Sequence, residues 1–410
     1  PANGRRYRKT QTDDTTVMLY PISPTPGRTL SPSPRLTSID QLRGTVIVLM
    51  LLDHVRETFY LHHQVPDPMP VDTVEPALFA SRLLAHLCAP VFVLLTGLSA
   101  WLYGSGQADP RRAASAFLLK RGLFLIALEL LVVNFAWTGQ FPPSVIYLQV
   151  IWAIGLSMVV LAGLLWLPRA ALAVLALALI GGHNLFDGVH VDGNGAMAVI
   201  WKVLHQRDWI EVGDTLRLRT SYPVLPWFGV IALGYVIGPW FMRGGDARVR
   251  QRRLLWAGGG ALLGFALLRA LNVYGDQPWQ AFADAGTTVM SVFNVTKYPP
   301  SLLFLLLTLG IGLLLLWLYE RPAVAHRLVP LADIGAAPMF FYLVHLYVLK
   351  LLYLAAVAAW GTNRGTYFGV DQVWQLWAIT VVLAVALYWP TRAFARLKAR
   401  RKDLVWLRYL

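Results

Sequence analysis

The sequence predicts an all-α fold: a polytopic membrane helix bundle of about ten transmembrane helices, with both termini cytoplasmic. Three observations carry that expectation. Hydrophobic residues fill 56% of the 410 positions and charged residues only 14%, whereas a soluble domain carries roughly a quarter charged residues. Mean hydropathy is +0.52, and apolar runs long enough to cross a bilayer recur along the whole chain. Lys and Arg also alternate between loops: 26 of the 36 fall on the side of the termini and six on the other, the asymmetry that marks cytoplasmic loops. Topology thus accounts for the formal charge of +14, and nucleic acid is a poor explanation of it.

Residues 1–34 are rich in Ser, Pro, Thr and Arg and bury too little apolar surface to order themselves, so a disordered cytoplasmic tail is expected. No apolar h-region precedes Arg35, and insertion is expected to fall to the first span rather than to a cleavable signal. Spans are expected at about 44–61, 78–103, 121–138, 145–167, 170–186, 223–242, 254–274, 299–319, 334–359 and 373–394. They make 35–395 one transmembrane domain, leave 396–410 as a basic cytoplasmic tail, and leave no residues for a soluble catalytic domain. Residues 183–222 form a long polar connection on the far side. Its Trp201, Asp208, Trp209, Glu211 and Asp214 suit either a carbohydrate or an amphipathic lid. The single cysteine, Cys88, excludes a disulfide framework and a Cys-based metal site, and no metal is expected.

Ionisable side chains inside a span are costly and point to function. The first span holds Asp53, His54, Arg56 and Glu57 within five positions. Asp53 reaches Arg56 and Glu57 at i+3 and i+4, and His54 shares a face with Glu57. A carboxylate beside an imidazole in low dielectric orients a general base and stabilises its protonated form. Asp53, His54 and Glu57 are therefore the catalytic candidates, the alternative being an ion-pair cluster that locks packing. His86, roughly 12 Å into the second span, either joins them or is a hydrogen-bonded packing residue. His62 and His63 stand at the far-side mouth of the first span, where they suit an acceptor or an interface. Glu129, Asn134, Gln149, Tyr342 and His345 complete a polar interior. At the cytoplasmic face Arg43, Arg111, Arg112, Lys120 and Arg121 offer charge to a phosphate, or simply follow the positive-inside rule. Arg43 precedes Gly44, expected to open the first helix, where an anion or a structural pair with Asp40 is held.

The run Ser38-Ile-Asp-Gln-Leu-Arg-Gly44 leading into Met50-Leu-Leu-Asp-His54 resembles the start of the catalytic domain of the heparan-α-glucosaminide N-acetyltransferase family. The phrase from His86 through Pro90 to Thr96-Gly-Leu-Ser99 is similar to that family's second helix. The blocks 222–234, 297–304 and 338–345 resemble blocks of its bacterial members. The resemblance implies an integral membrane acyltransferase, in a bacterial inner membrane and open to homodimer formation. It would move an acetyl group from cytoplasmic acetyl-CoA to a glycan or glycolipid acceptor on the periplasmic side. In the animal branch an Asn stands at the position of His54, and a His implicated in catalysis falls eleven positions further on, at Val65 here. His54 with Asp53 is preferred. Arg43 and its basic neighbours would hold the phosphates of coenzyme A, whose extended pantetheine spans about 15 Å. His54 would deprotonate the acceptor amine or hydroxyl, or become acylated, with Asn134, Gln149 or His86 supporting the oxyanion. The main rival is a transporter or flippase for a lipid-linked sugar, using the same polar interior as a path.

Overall fold

A computed structural model describes residues 36–62, 66–242, 244–401, 403–404 and 407. The expected N-terminal tail, His63, Val65 and most of the last nine residues lie outside the described residues. The chain opens with α1 (Thr37–Arg56), which continues as a π-helical turn over Glu57–Leu61. Next come α2 (Pro76–Ala85) and α3 (Cys88–Gly104). Pro90 sits in the first turn of α3, where its missing N–H costs nothing. Its ring cannot follow a helical carbonyl at His86, so the apolar rod breaks at His86–Leu87. Then α4 (Pro110–Leu128), opened by the Asp109 carboxylate accepting from the Arg112 N–H at 3.2 Å, runs through a second π-helical turn, Glu129–Val133, into α5 (Asn134–Thr138). After them come α6 (Val150–Leu164), α7 (Arg169–Gly182), α8 (Ala196–Leu204) and α9 (Leu225–Ile237). The second half holds α10 (Ala247–Leu271), α11 (Ala285–Phe293), α12 (Leu302–Tyr319) and α13 (Pro322–Ala325). It ends with α14 (Val329–Gly335), α15 (Pro338–Trp360) and α16 (Val373–Arg400).

Six helical segments among the described residues are long and apolar enough to cross a membrane: Pro76–Gly104, Arg169–Phe186, Ala247–Leu271, Leu302–Tyr319, Pro338–Trp360 and Val373–Arg400. Two shorter apolar helices, Val150–Leu164 and Leu225–Phe241, accompany them. Burial sorts the six into inner and outer. The apolar windows of Pro76–Gly104 and Leu302–Tyr319 are 72% and 61% buried, against 22% for Arg169–Phe186 and Ala247–Leu271. Leu177 and Leu263 on those outer helices are exposed, as a lipid-facing surface requires. Polar α1 falls outside this apolar set. It is instead enclosed, packing on α2, α3, α12, α14, α15 and α16. That enclosure lets a helix with four ionisable residues near its end lie among apolar ones.

Glycines set the closest helix contacts. A Cβ at Gly97 of α3 would lie 1.9 Å from the Ile231 carbonyl, and one at Gly234 of α9 would lie 2.0 Å from that of Leu94. Backbones can approach this closely only where no side chain intervenes. Gly44 has the same role against α14, its Cβ position being 1.9 Å from the Leu331 carbonyl. This corrects the expectation that Gly44 opens the first helix: α1 begins seven residues earlier, at Thr37, so Arg43 lies within the helix rather than ahead of it.

The expected span from 145 starts differently too. Residues Val145–Tyr147 form β1, which pairs in parallel with β3 (Leu216–Arg219), and β3 pairs antiparallel with β2 (Trp209–Val212). β-branched and aromatic residues favour the pleat, and the helix waits until Val150. The long polar connection is therefore folded, holding α8 and the β2–β3 hairpin. Its register sets Arg219 opposite both Tyr147 and Trp209.

Candidate active site

Near the end of α1, Asp53 and His54 are adjacent in sequence, so their side chains leave the helix on different faces. Both are buried. Asp53 faces a cluster of cations: it pairs with Arg56 one turn on, with Lys297 at 3.7 Å and with Arg82 at 3.9 Å. Arg56, Arg82 and Lys297 are themselves almost wholly buried. Arg82 also meets Asp67 at 3.6 Å, and Asp67 accepts the backbone N–H groups of Lys297 (2.6 Å) and Tyr298 (2.8 Å). Burial lifts the Asp67 carboxyl above its ordinary value, against the opposing pull of Arg82 and those two N–H groups. Glu57, 3.9 Å from Arg56, brings the acids to three against three cations. Such a set stays buried only because each charge is compensated.

His54 looks the other way. Its Nδ1 lies 2.7 Å from Nε2 of His345, and its ring meets Trp137 and Tyr342 edge-on at centroid distances of 5.2 and 6.0 Å. Asp53 is close enough to His54 for their charges to interact, but no hydrogen bond joins the two among the described contacts. The partner is a second imidazole, from α15. That arrangement fixes the tautomers. His345 Nδ1 donates to the Phe341 carbonyl at 2.8 Å, so in neutral His345 the Nε2 is an acceptor. His54 Nδ1 must then carry its proton, leaving His54 Nε2 with a free lone pair.

Beyond Trp137 a cavity of about 610 Å³ opens, walled by Trp137, Tyr147, Trp209, Tyr353 and Tyr367, with Glu57, His62, Gln149, Arg219 and Lys350 supplying polar groups. The wall owes its shape to two devices. The π-helical turn after Arg56 turns Glu57 and Thr58 to the cavity, an insertion typical of functional sites. The sheet register supplies Tyr147, Trp209 and Arg219 side by side. His62, in the left-handed region at φ 58°, stacks on Tyr367 with centroids 4.7 Å apart.

Other expected residues are placed elsewhere. Glu129 is buried and accepts the Trp152 N–H at 3.1 Å, and Asn134 holds β1 by bonds to Val145 and Tyr147; neither lines this cavity. His86 sits in the break between α2 and α3 against Phe304 (5.1 Å between centroids). Tyr342 is buried beside His54 with its hydroxyl free of hydrogen bonds among the described residues. Toward the other end of α1, Arg43 pairs with Asp40 at 3.0 Å and with Ser99. Arg111 covers Trp166, Arg112 pairs with Asp109, and Lys120 and Arg121 follow about 13 Å further along α4. The four α4 residues are thus spread along that helix, and Arg43 belongs to α1, where it has partners of its own. Sequence reasoning missed Arg82, Lys297 and Trp137. The signal for Arg82 was its place in an apolar span, and Lys297 stands at the head of a family-like block.

A membrane-type helix bundle enclosing compensated charges, and an imidazole pair packed against Trp137 in the wall of an aromatic cavity, define an integral membrane protein with an enzyme-like interior. The family model described as heparan-alpha-glucosaminide N-acetyltransferase, catalytic, matches residues 35–274. The chain belongs to that family, whose activity is N-acetyl transfer within a membrane protein. The match contains His54 and the cation-bound Asp53, while Lys297, Tyr342 and His345 follow it in the chain. No curated protein matches the chain in sequence.

Proposed function

We propose that the protein is a transmembrane acyltransferase of a bacterial inner membrane, with about ten passes and both termini cytoplasmic. It takes acetyl from cytoplasmic acetyl-CoA and delivers it to an amine or hydroxyl of a glycan or glycolipid that enters the cavity from the periplasmic side. The observation that carries this proposal is the His54–His345 pair, whose hydrogen bonds leave His54 Nε2 as a base, on a ring that packs against Trp137 in the wall of the aromatic cavity. Tyrosine and tryptophan faces suit the apolar face of a sugar ring, and Glu57, Gln149 and Arg219 suit its hydroxyls.

Arg43 lies eleven residues before His54 on α1, about 16 Å by helical rise. A pantetheine arm of about 15 Å spans that gap, so phosphates near Arg43 would bring the thioester to His54. There His54 Nε2 takes the acceptor proton while the acceptor nitrogen or oxygen attacks the thioester carbonyl. The C–S bond then breaks, and the leaving thiolate takes the proton back from the imidazolium. In the second route His54 Nε2 itself attacks and is acylated before the acceptor arrives. The Tyr342 hydroxyl, buried and free of hydrogen bonds among the described residues, is the donor we assign to the oxyanion. Asp53 keeps the three cations compensated rather than touching the reacting atoms.

Purified protein in nanodiscs, incubated with radiolabelled acetyl-CoA and a panel of amino sugars and glycans, is expected to bind the donor and to transfer or hydrolyse its acetyl group. Absence of binding, transfer and hydrolysis across that panel would refute the enzyme.

A further inference from the structure

A second group of ionisable residues lies apart from the His54 pair, at the end of α7 that leads into the sheet-bearing connection. His183 follows α7 in a short helical turn, Asp187 closes that turn, and His205 follows α8. His183 Nδ1 and His205 Nε2 stand 3.3 Å apart, Asp187 Oδ1 is 3.7 Å from His205 Nε2, and all three donor atoms lie within 4.8 Å of one another. We propose that these three residues bind one divalent transition-metal ion of the zinc type.

The spacing suits an ion better than a bare histidine pair. At metal–nitrogen bonds of about 2.0–2.1 Å, two ligands on a tetrahedron stand about 3.3–3.4 Å apart, which is the separation of the two imidazole nitrogens. The Asp187 carboxylate, at 3.7 Å from His205 Nε2, would close on the ion by a side-chain rotation that its exposed position allows. A hydrogen bond between the same nitrogens is long at 3.3 Å, against about 2.9–3.0 Å for a typical N–H donor. Two imidazoles and one carboxylate favour zinc, cobalt or nickel over magnesium or calcium, which prefer all-oxygen sets. Both imidazoles are buried, while Asp187 is exposed, so a fourth position opens to water. The supporting contacts are in place as well. Asp187 Oδ2 accepts from Asn184 Nδ2 at 2.8 Å, and Asn184 Oδ1 accepts the Leu302 N–H at 2.9 Å, anchoring the carboxylate to the start of α12. The His205 ring is fixed by stacking on Trp201, 5.2 Å between centroids, and by the edge of Phe186. Such outer contacts orient metal ligands.

An ion here closes the loop between residues 183 and 205. It therefore tethers the segment that continues directly into β2 and β3, which carry Trp209 and Arg219 to the cavity. Its role is to hold that cavity wall, and no acetyl-transfer step passes through it.

The test uses the full chain, purified on a tag without histidines, stripped with chelator and reloaded with Zn²⁺ or Co²⁺ before excess metal is removed. One equivalent of zinc per chain by elemental analysis is expected, with four-coordinate visible bands for cobalt and a higher melting temperature on reloading. His205→Ala and Asp187→Ala are expected to abolish all three, whereas His190→Ala, at an exposed position of the same loop, keeps them. Asp187→Ala replaces an exposed side chain, so it reports even if His205→Ala does not fold. Reloaded wild-type protein holding well under one equivalent, or Asp187→Ala retaining the ion and its bands, overturns the site.

Discussion

Replacing His345 separates a working imidazole pair from mere packing. His345 Nε2 accepts the His54 Nδ1 proton at 2.7 Å in a buried setting. His345→Leu removes that acceptor and leaves a buried N–H unpaired, at a cost of about 1–3 kcal/mol. If the bond orients His54 as attack develops, that cost falls on the transition state and slows turnover roughly 5- to 150-fold, at 1.36 kcal/mol per decade. His345→Gln can still present a carbonyl oxygen to His54 and is expected to recover most of the loss. The assay is steady-state transfer from radiolabelled acetyl-CoA with nanodisc-embedded variants matched by melting temperature. The fall is expected in kcat, with the KM for acetyl-CoA unchanged. Wild-type turnover in the Leu variant, or a Gln variant no faster than Leu, would show that the pair does not set the reactive tautomer.

Removing the base itself, His54→Ala, is expected to lower kcat by about 10²- to 10⁴-fold while calorimetry still finds acetyl-CoA binding. Asp53→Leu leaves Arg56, Arg82 and Lys297 facing one another in the interior. Breaking one side of a buried ion set typically costs about 3–5 kcal/mol, so thermal melting is expected to shift down sharply, and an unchanged melt would count against the compensation argument. Gly44→Ala puts a methyl against the Leu331 backbone; it should destabilise by about 1–3 kcal/mol or more, read in the same melts. Trp209→Ala opens the cavity wall and is expected to raise the KM for a sugar acceptor without changing that for acetyl-CoA. Equal changes in both would argue that the cavity does not receive the acceptor.

Local pattern decided much of this protein. Apolar runs of about twenty residues give helices over most of their length, because the backbone must satisfy its own polar groups in lipid. The i+3 spacing of Asp53 and Arg56 gives their ion pair on any helix. The low charge content and the family-like blocks around His54 and His86 likewise stand in the sequence itself. The tertiary structure alone decided which imidazole His54 meets, since His345 is 291 positions away. It also decided that Asp53 turns to Lys297 and Arg82, and that Glu129 and Asn134 bond to the backbone of α6 and β1. The same holds for the cavity, whose tryptophans arrive from the α4–α5 rod and from a sheet whose register spans some seventy residues. The physical reason is that periodicity is a property of one helix, while a site made between helices depends on which faces meet and how closely. Here bare glycine contacts between helix backbones, such as Gly44 on Leu331 and Gly97 on Ile231, fix that approach, and only the packed bundle reveals it.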